Sequence, residues 1–197
     1  MKSSSSARGV SLVELLIVVA IVGLMVAISI PSLHDISRKR ELQASTAELR
    51  AIFRNVRARA VARGRNSAVK FRQIGGVWNY GFFDDGDGDG VLNDDILKGI
   101  DPLAVPYREV FGSSGKVRIG LPGVTIWDSE HKERLAPGAS PVRFNRSTIC
   151  SFSPLGSATP GSIYLTDGVR GSAVVIVYGA SGRVRLKLLS EADEVSR

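Results

Sequence analysis

The N-terminal segment, residues 10–31, is the feature that most constrains the fold of this chain. Between positions 10 and 30 it is apolar except for Ser11, Ser29 and one acid, Glu14. A helix rises ~1.5 Å per residue, so a run of about 20 apolar residues is long enough to cross the hydrocarbon core of a bilayer. The segment therefore predicts a membrane-spanning helix near the start of the chain.

Glu14 is the exception inside this segment. A carboxylate within a membrane helix costs roughly 2.5–3.5 kcal/mol, so such an acid usually has a function and a partner. A cationic group on a neighbouring helix would compensate its charge in a medium of low dielectric constant. The alternative is an acid that is simply tolerated near the membrane edge.

The residues around this segment resemble the type IV prepilin signature. Gly9 directly precedes the apolar run, Lys2 and Arg8 lie ahead of it, and Val10 stands where Phe is commonest. The resemblance implies that a prepilin peptidase cleaves between Gly9 and Val10 and methylates the new amine of Val10. It also implies that Glu14 pairs with the N-terminal amine of a neighbouring subunit. An ordinary secretory signal would instead lose its apolar segment.

The same resemblance implies a location and a set of partners. After the leader, residues 1–9, is removed, the protein would be a single-pass protein of the bacterial inner membrane, with its C-terminal domain in the periplasm. Its partners would be the prepilin peptidase and other pilins or pseudopilins, which contact it through the N-terminal helix. From the membrane it would be extracted into a pilus or pseudopilus.

The stem, residues 32–65, continues the helix beyond the apolar run. Its apolar residues recur at spacings of seven, three, four and four, which predicts one buried helix face: Leu42, Leu49, Ile52, Val56 and Ala60. Pro31 predicts a kink or local unwinding, and Gly64 predicts the helix end.

The stem is also strongly basic. Between positions 31 and 65 there are nine lysines and arginines against three acids. Such a surface is either a solvated helix face or a contact for anionic lipid headgroups, filament partners or DNA.

From position 66 the sequence favours β-structure. Alternation of apolar and polar residues predicts strands from residue 67 and at 77–83, 107–111, 116–119, 124–127, 142–144 and 162–166, and a final hairpin at 172–188. We therefore predict an α+β, pilin-like fold with four parts: the leader (1–9), a transmembrane assembly helix (10–31), the stem (32–65), and a soluble β-rich domain (66–197). The long helix packs on this domain.

Two parts of this domain resemble a narrower group. The aromatic strand 77–83 leading into an Asp/Gly loop, and the hairpin sequence Gly182-Arg183-Val184-Arg185, are similar to the H-type minor pseudopilins of type II secretion and the related FimT-like minor pilins. The resemblance implies a minor pseudopilin that supports protein export. The alternative is a minor type IV pilin that binds DNA during natural transformation.

The acidic loop, residues 84–95, carries six aspartates and no base. Counting from Asp85, acids occupy the first, third and fifth positions and Gly90 the sixth, as in the first half of an EF-hand calcium loop. The twelfth position is Ile96 and not Glu, so Asp94 or Asp95 would have to substitute. The predicted calcium ligands are grouped here: Asp85, Asp87, Asp89, Val91 (through its carbonyl), Asp94 and Asp95. The alternative is a solvated acidic turn.

The final hairpin alternates basic and aliphatic residues. This places Arg183, Arg185 and Lys187 on one strand face and the aliphatic side chains on the core face. In FimT-like pilins the matching Gly-Arg-x-Arg motif is implicated in DNA binding, so the resemblance makes these bases candidate DNA ligands. The alternative is an ordinary solvated strand.

Catalytic chemistry has little support in the sequence. Neither histidine, His34 or His131, has an adjacent nucleophile or a metal-ligand spacing. Cys150 is the only cysteine, which excludes an intramolecular disulfide and predicts a small buried side chain. We therefore expect no enzymatic activity.

Overall fold

The computed structural model describes residues 11–111, 116–128, 132–169 and 171–189, without the side chains of residues 26–35. The fold is α+β, because one long helix is followed by antiparallel β-sheets. This confirms the predicted class and is consistent with a pilin-like fold. The chain divides into two compact units, Met1–Arg38 and Lys39–Arg197.

Helix α1 covers Leu12–Arg63, 52 residues without interruption. The helix continues through Pro31, so the local unwinding considered there is not observed, and the kink stays a prediction. Gly64 ends the helix as predicted. Its φ is +63°, and its N–H donates to the carbonyl of Val61 at 3.3 Å.

In the first unit, every described side chain from 11 to 25 is exposed. The large apolar ones range from 53% exposed at Val22 to 75% at Leu12. Among the residues that the structure describes, no helix is long and apolar enough to cross a membrane. Val10 and the side chains of 26–31 lie outside the described residues, so the span of residues 10–31 stays a prediction.

In the second unit, one face of α1 is buried. The predicted stripe is confirmed, and Phe53 belongs to the same face: Leu42, Leu49, Ile52, Phe53, Val56 and Ala60 are all less than 5% exposed. The ring of Phe53 lies 5.9–6.3 Å from those of Phe71, Phe144 and Phe152, so α1 joins a core that both larger sheets share.

The first sheet has the strand order β3-β2-β1-β8, with all neighbours antiparallel. Its strands are β1 (Ser67–Ile74), β2 (Val77–Asp84), β3 (Leu103–Glu109) and β8 (Ile149–Phe152). A short helix, α2 (Asn93–Lys98), lies between β2 and β3.

The second sheet has the order β11-β10-β9-β4, and β7 also pairs with β9. Its strands are β4 (Arg118–Ile119), β7 (Val142–Phe144), β9 (Gly161–Thr166), β10 (Ser172–Val177) and β11 (Val184–Leu189). Strands β5 (Ile126–Asp128) and β6 (Glu133–Leu135) form a separate hairpin.

The predicted strands are present, with shifted ends at several positions. The sequence interpretation missed α2, β6 and β8, which are three to six residues long. Cys150 lies on β8 and is fully buried, as predicted, and this burial raises the pKa of its thiol well above the ordinary value.

Candidate functional site

The N-terminal site is described only in part. Glu14 lies in the first turn of α1, where the positive end of the helix dipole stabilises a negative charge. Its side chain is exposed. Gly9, Val10 and His131 lie outside the described residues, as does the side chain of His34. The proposed processing bond is therefore not described.

The acidic loop is held to the end of α1 by Asp84. This carboxylate accepts two hydrogen bonds from Arg59, each 2.6 Å long, and one of 2.9 Å from the hydroxyl of Ser67. Arg63 contributes an ion pair at 2.9 Å. Burial acts to raise the pKa of Asp84, but these cationic and hydrogen-bonding partners outweigh it and hold the pKa below its ordinary value.

Asp101 holds both ends of the loop turn. Its two carboxylate oxygens accept the N–H groups of Gly86 at 3.0 Å and Leu92 at 2.9 Å, and the residue is 1% exposed. Sequence reasoning missed this residue. It lies outside the acidic run and reaches the loop only through the fold.

Within the loop, Asp85 organises the backbone. Its carboxylate accepts hydrogen bonds from Gly88 N–H at 2.6 Å, Gly90 N–H at 3.0 Å and the Asn66 amide at 2.8 Å. Burial acts to raise the pKa of Asp85, but these donors together lower it. Gly90 has a φ of +108°, a conformation that glycine adopts readily, as the predicted turn position requires.

Three of the predicted calcium ligands lie together. Carboxylate oxygens of Asp85, Asp87 and Asp89 fall within 4.8 Å of one another, and the side chains of Asp87 and Asp89 are exposed. Slight desolvation and the charge of Asp87 raise the pKa of Asp89. Such a group offers hard oxygen ligands of the kind that calcium prefers.

The other predicted calcium ligands lie outside this group of three. Asp94 and Asp95 lie in the first turn of α2, and Asp95 pairs with Lys98 at 3.4 Å. The charge of Asp95 still contributes to the raised pKa of Asp89. The loop therefore brings together three of the predicted carboxylates, and the roles of Asp94, Asp95 and the Val91 carbonyl stay predictions.

The final hairpin contributes to a second charged surface, which we call the basic groove. It lies between α1 and β11 and encloses about 480 Å³. Five arginines line it, with four other residues at its base: Arg50, Arg54 and Arg57 from α1, Arg183 and Arg185 from the hairpin, and Phe53, Gly182, Val184 and Leu186.

The arginines of the basic groove are not neutralised within the described chain. No described acid forms an ion pair with any of the five, and no acid is among the lining residues. A polar contact across the groove between described residues is weak: Arg57 Nη1 lies 3.5 Å from the carbonyl oxygen of Gly182. Guanidinium groups bind carboxylates and phosphates through paired hydrogen bonds, so the groove is suited to an anion.

The predicted alternation of β11 holds only in part. Val184 and Leu186 pack against the main core, while Arg185 is exposed. Leu188 was predicted on the core face but is 46% exposed, and it lies one residue before the end of β11. Lys187 is half-buried and is not among the residues that line the groove, and its role as a DNA ligand stays a prediction.

The comparison with known families concerns the N-terminus. The prokaryotic N-terminal methylation motif matches residues 4–30. The match supports a type IV pilin-like protein of the prepilin type. Such a motif implies in general a membrane-anchored N-terminus, processing by a prepilin peptidase and assembly with other pilins. No curated protein and no solved structure matches the chain.

The functional residues that sequence reasoning missed share one property. Asp101 and the arginines Arg50, Arg54 and Arg57 act at sites whose other members are distant in sequence. The excess of lysine and arginine in the stem indicated a basic surface on the helix. It did not indicate which of the nine bases face the hairpin.

Proposed function

We propose that this chain is a minor pseudopilin of a type II secretion pseudopilus, which assembles through its N-terminal helix and supports protein export. The observation that carries the proposal is the match of the methylation motif to residues 4–30. The exposed apolar side chains of residues 11–25 agree with it, because an apolar helix surface of this extent needs a membrane or neighbouring helices around it.

Assembly requires a change of surroundings for the helix. Cleavage between Gly9 and Val10 removes the leader and creates an amine at Val10, four residues before Glu14. Paired with the amine of an adjacent subunit, Glu14 loses most of its charge penalty in the apolar helix bundle and sets the register between subunits. The role is structural and not catalytic, and the globular unit lies on the periplasmic side.

Export tests the proposal in the source bacterium. Deletion of the gene should reduce the appearance of type II substrates in the medium, and the full chain should restore it. A variant with Gly9→Glu, which places a large charged side chain at the predicted cleavage site, should fail to be processed and fail to restore export. Normal export in the deletion strain would overturn the proposal. Mass spectrometry of the N-terminus verifies processing in each strain.

A second candidate function is DNA binding, and the basic groove is the observation that favours it. Arg183 and Arg185 are exposed and join three helix arginines in one surface. Contacts of this type to phosphates would give binding that is independent of sequence and weakens as salt rises. Arg183→Gln with Arg185→Gln should abolish a gel shift by the full chain in detergent, and an unchanged shift would remove this candidate. Arg146→Gln, a change at an exposed arginine outside the groove, is the matched control.

Calcium binding at the acidic loop is compatible with either function. Asp85, Asp87 and Asp89 would supply the carboxylates, and a bound cation would offset their mutual repulsion. Titration calorimetry of the full chain in detergent should show binding at millimolar calcium that Asp87→Asn with Asp89→Asn removes. No heat beyond dilution would end this proposal.

A further inference from the structure

Strand β11 leaves one edge of the second sheet unpaired within the described chain. It pairs with β10 alone and is the outermost strand of the order β11-β10-β9-β4. The N–H of Tyr178 donates to the carbonyl of Arg183 at 2.9 Å, so the odd-numbered residues of the strand direct their backbone groups towards β10. The N–H and C=O groups of Val184, Leu186 and Leu188 therefore point away from β10, and no described residue forms a hydrogen bond with them.

This free edge forms one wall of the basic groove. Five consecutive residues, 182–186, line the groove, and consecutive side chains of a strand point to opposite faces. A groove over one face would be lined by every second residue, so this lining places the groove along the edge. Arg57 reaches the edge from α1, since its Nη1 lies 3.5 Å from the carbonyl oxygen of Gly182.

The other outer strands of the two larger sheets offer no comparable edge. Strand β3 contains Pro106 and changes register along its pairing with β2. Strand β4 has only two residues. On β8, the outward backbone groups of Ser151 are already bonded to Thr159, at 2.8 Å and 3.2 Å. Among the described strands, β11 therefore presents the longest regular free edge, with six residues.

The charges around this edge restrict what can pair with it. Arg183 and Arg185 are exposed on the strand, and the three arginines of α1 line the opposite wall of the groove. Basic side chains on an edge strand repel another edge of the same charge. The same positions attract a strand that carries carboxylates, because guanidinium groups donate paired hydrogen bonds to carboxylates.

We propose that the basic groove is a docking site for an extended, acidic segment of another protein, which adds to β11 as a further strand. The backbone of the segment lies ~4.8 Å from β11 and pairs with the outward groups of Val184 and Leu186. Carboxylates at alternate positions lie beside Arg183 and Arg185. The residues between them face Val184 and Leu186, which are only partly buried, so apolar side chains suit those positions.

Backbone pairing favours a protein segment over DNA in this groove. The outward groups of β11 include carbonyl acceptors as well as donors, and phosphate oxygens pair only with the donors. The groove also presents no exposed aromatic ring on which a base would stack, since Phe53 is fully buried. The contact does not involve residues 10–31, so its failure is separate from failure of the proposed assembly function.

A synthetic peptide of eight alternating glutamate and valine residues with blocked ends is the probe, and the full chain in detergent is its target. Titration calorimetry should show binding that weakens as salt rises. Nuclear magnetic resonance should show slower amide hydrogen exchange at Val184 and Leu186 when the peptide is bound. Binding without slower exchange at these two amides would overturn the strand pairing.

Methylated peptides separate backbone pairing from charge. One peptide is N-methylated at its valines and the other at its glutamates, and both keep every carboxylate. In an added strand only every second residue directs its N–H towards β11, so one of the two methylated peptides should lose binding by about tenfold or more. Binding that survives methylation of either set would overturn the inference.

Substitutions in the groove test its charge. Arg54→Gln with Arg185→Gln should weaken peptide binding by about tenfold or more, because carboxylates of the peptide then lose their donors. Arg146→Gln, at an exposed arginine outside the groove, is the matched control and should bind as the wild type does. Equal affinity of the groove variant and the control would contradict the docking site.

Two other occupants are distinguished by the same titration. Residues 190–197 lie outside the described residues and include Glu191, Asp193 and Glu194. Changing these three acids to their amides should leave peptide affinity unchanged, and a gain of about tenfold or more would assign the groove to this chain's own segment. Duplex DNA should compete only weakly with the peptide. Displacement by DNA at a lower concentration than the peptide's own Kd would assign the groove to DNA and overturn the inference.

Discussion

At the scale of single residues, Asp84 is the clearest electrostatic anchor of the fold. It joins the end of α1 to the end of β2 through Arg59, Arg63 and Ser67. Asp84→Asn should lower the free energy of unfolding by about 1–3 kcal/mol, because two cations then lose their buried partner. Thermal unfolding of the full chain in detergent, followed by the fluorescence of Trp78 and Trp127, measures the change.

The contribution of Asp84 should also depend on pH. Its folded pKa lies below the ordinary value of 3.8, so its stabilisation is present above that value and is lost as the pH falls through the lower, folded pKa. Asp84→Asn should therefore flatten the acid limb of the stability profile. An acid limb identical to that of the wild type would contradict this assignment.

Single residues also show the limit of sequence reasoning. The spacing of Asp85, Asp87, Asp89 and Gly90 indicated a tight acidic turn, because this geometry is local to the chain. The role of Asp101 was not predictable, because it depends on how β3 returns the chain to the loop after α2.

At the scale of elements, helix α1 is joined to the sheets chiefly by Phe53. Its side chain is fully buried and contacts three other rings. Phe53→Ala should destabilise the second unit by about 3–5 kcal/mol, since it leaves a cavity between the helix and both sheets. Thermal unfolding tests this, with Val61→Ala, an exposed change on the same helix, as the control. Similar losses for both variants would contradict this role of Phe53.

The hairpin of β10 and β11 depends on a glycine at position 182. Its φ is +57°, and a Cβ there would lie 2.5 Å from the carbonyl oxygen of Gly156. Gly182→Ala should therefore destabilise the hairpin by more than the ~1 kcal/mol expected from backbone strain alone. It should also distort the groove next to Arg183.

Gly88→Ala is the matched comparison for this prediction. Gly88 also has a positive φ, +99°, but nothing lies within 4 Å of an added Cβ. The difference between the two melting temperatures isolates the steric clash at Gly182. Equal losses of stability in the two variants would show that the close approach to Gly156 has no energetic weight.

Element prediction succeeded where periodicity was long enough to measure. Five buried apolar residues recur at helical spacing between Leu42 and Ala60, so the buried face of α1 was predictable. Phe53 was missed because it lies between Ile52 and Arg54, where a narrow apolar stripe would not include it. The basic groove was missed for a different reason, since it needs α1 and β11 to be packed together.

At the scale of the whole molecule, the N-terminal motif and the second unit carry different features. The motif at residues 4–30 supports a prepilin-type protein that assembles with other pilins. The acidic loop and the basic groove are charged surfaces of the second unit. Substitutions in the N-terminal motif should leave the acidic loop and the basic groove intact, because the motif shares no residue with either surface.

The most direct test of the assembly role is the Glu14→Ala variant of the full chain, co-expressed with the other pilins of its system. The variant should reach the membrane in normal amount, since removing a charge from an apolar helix does not hinder insertion. Its co-purification with other pilins should fall by about tenfold or more, the loss expected when a buried charge loses its partner. Undiminished co-purification would contradict the account.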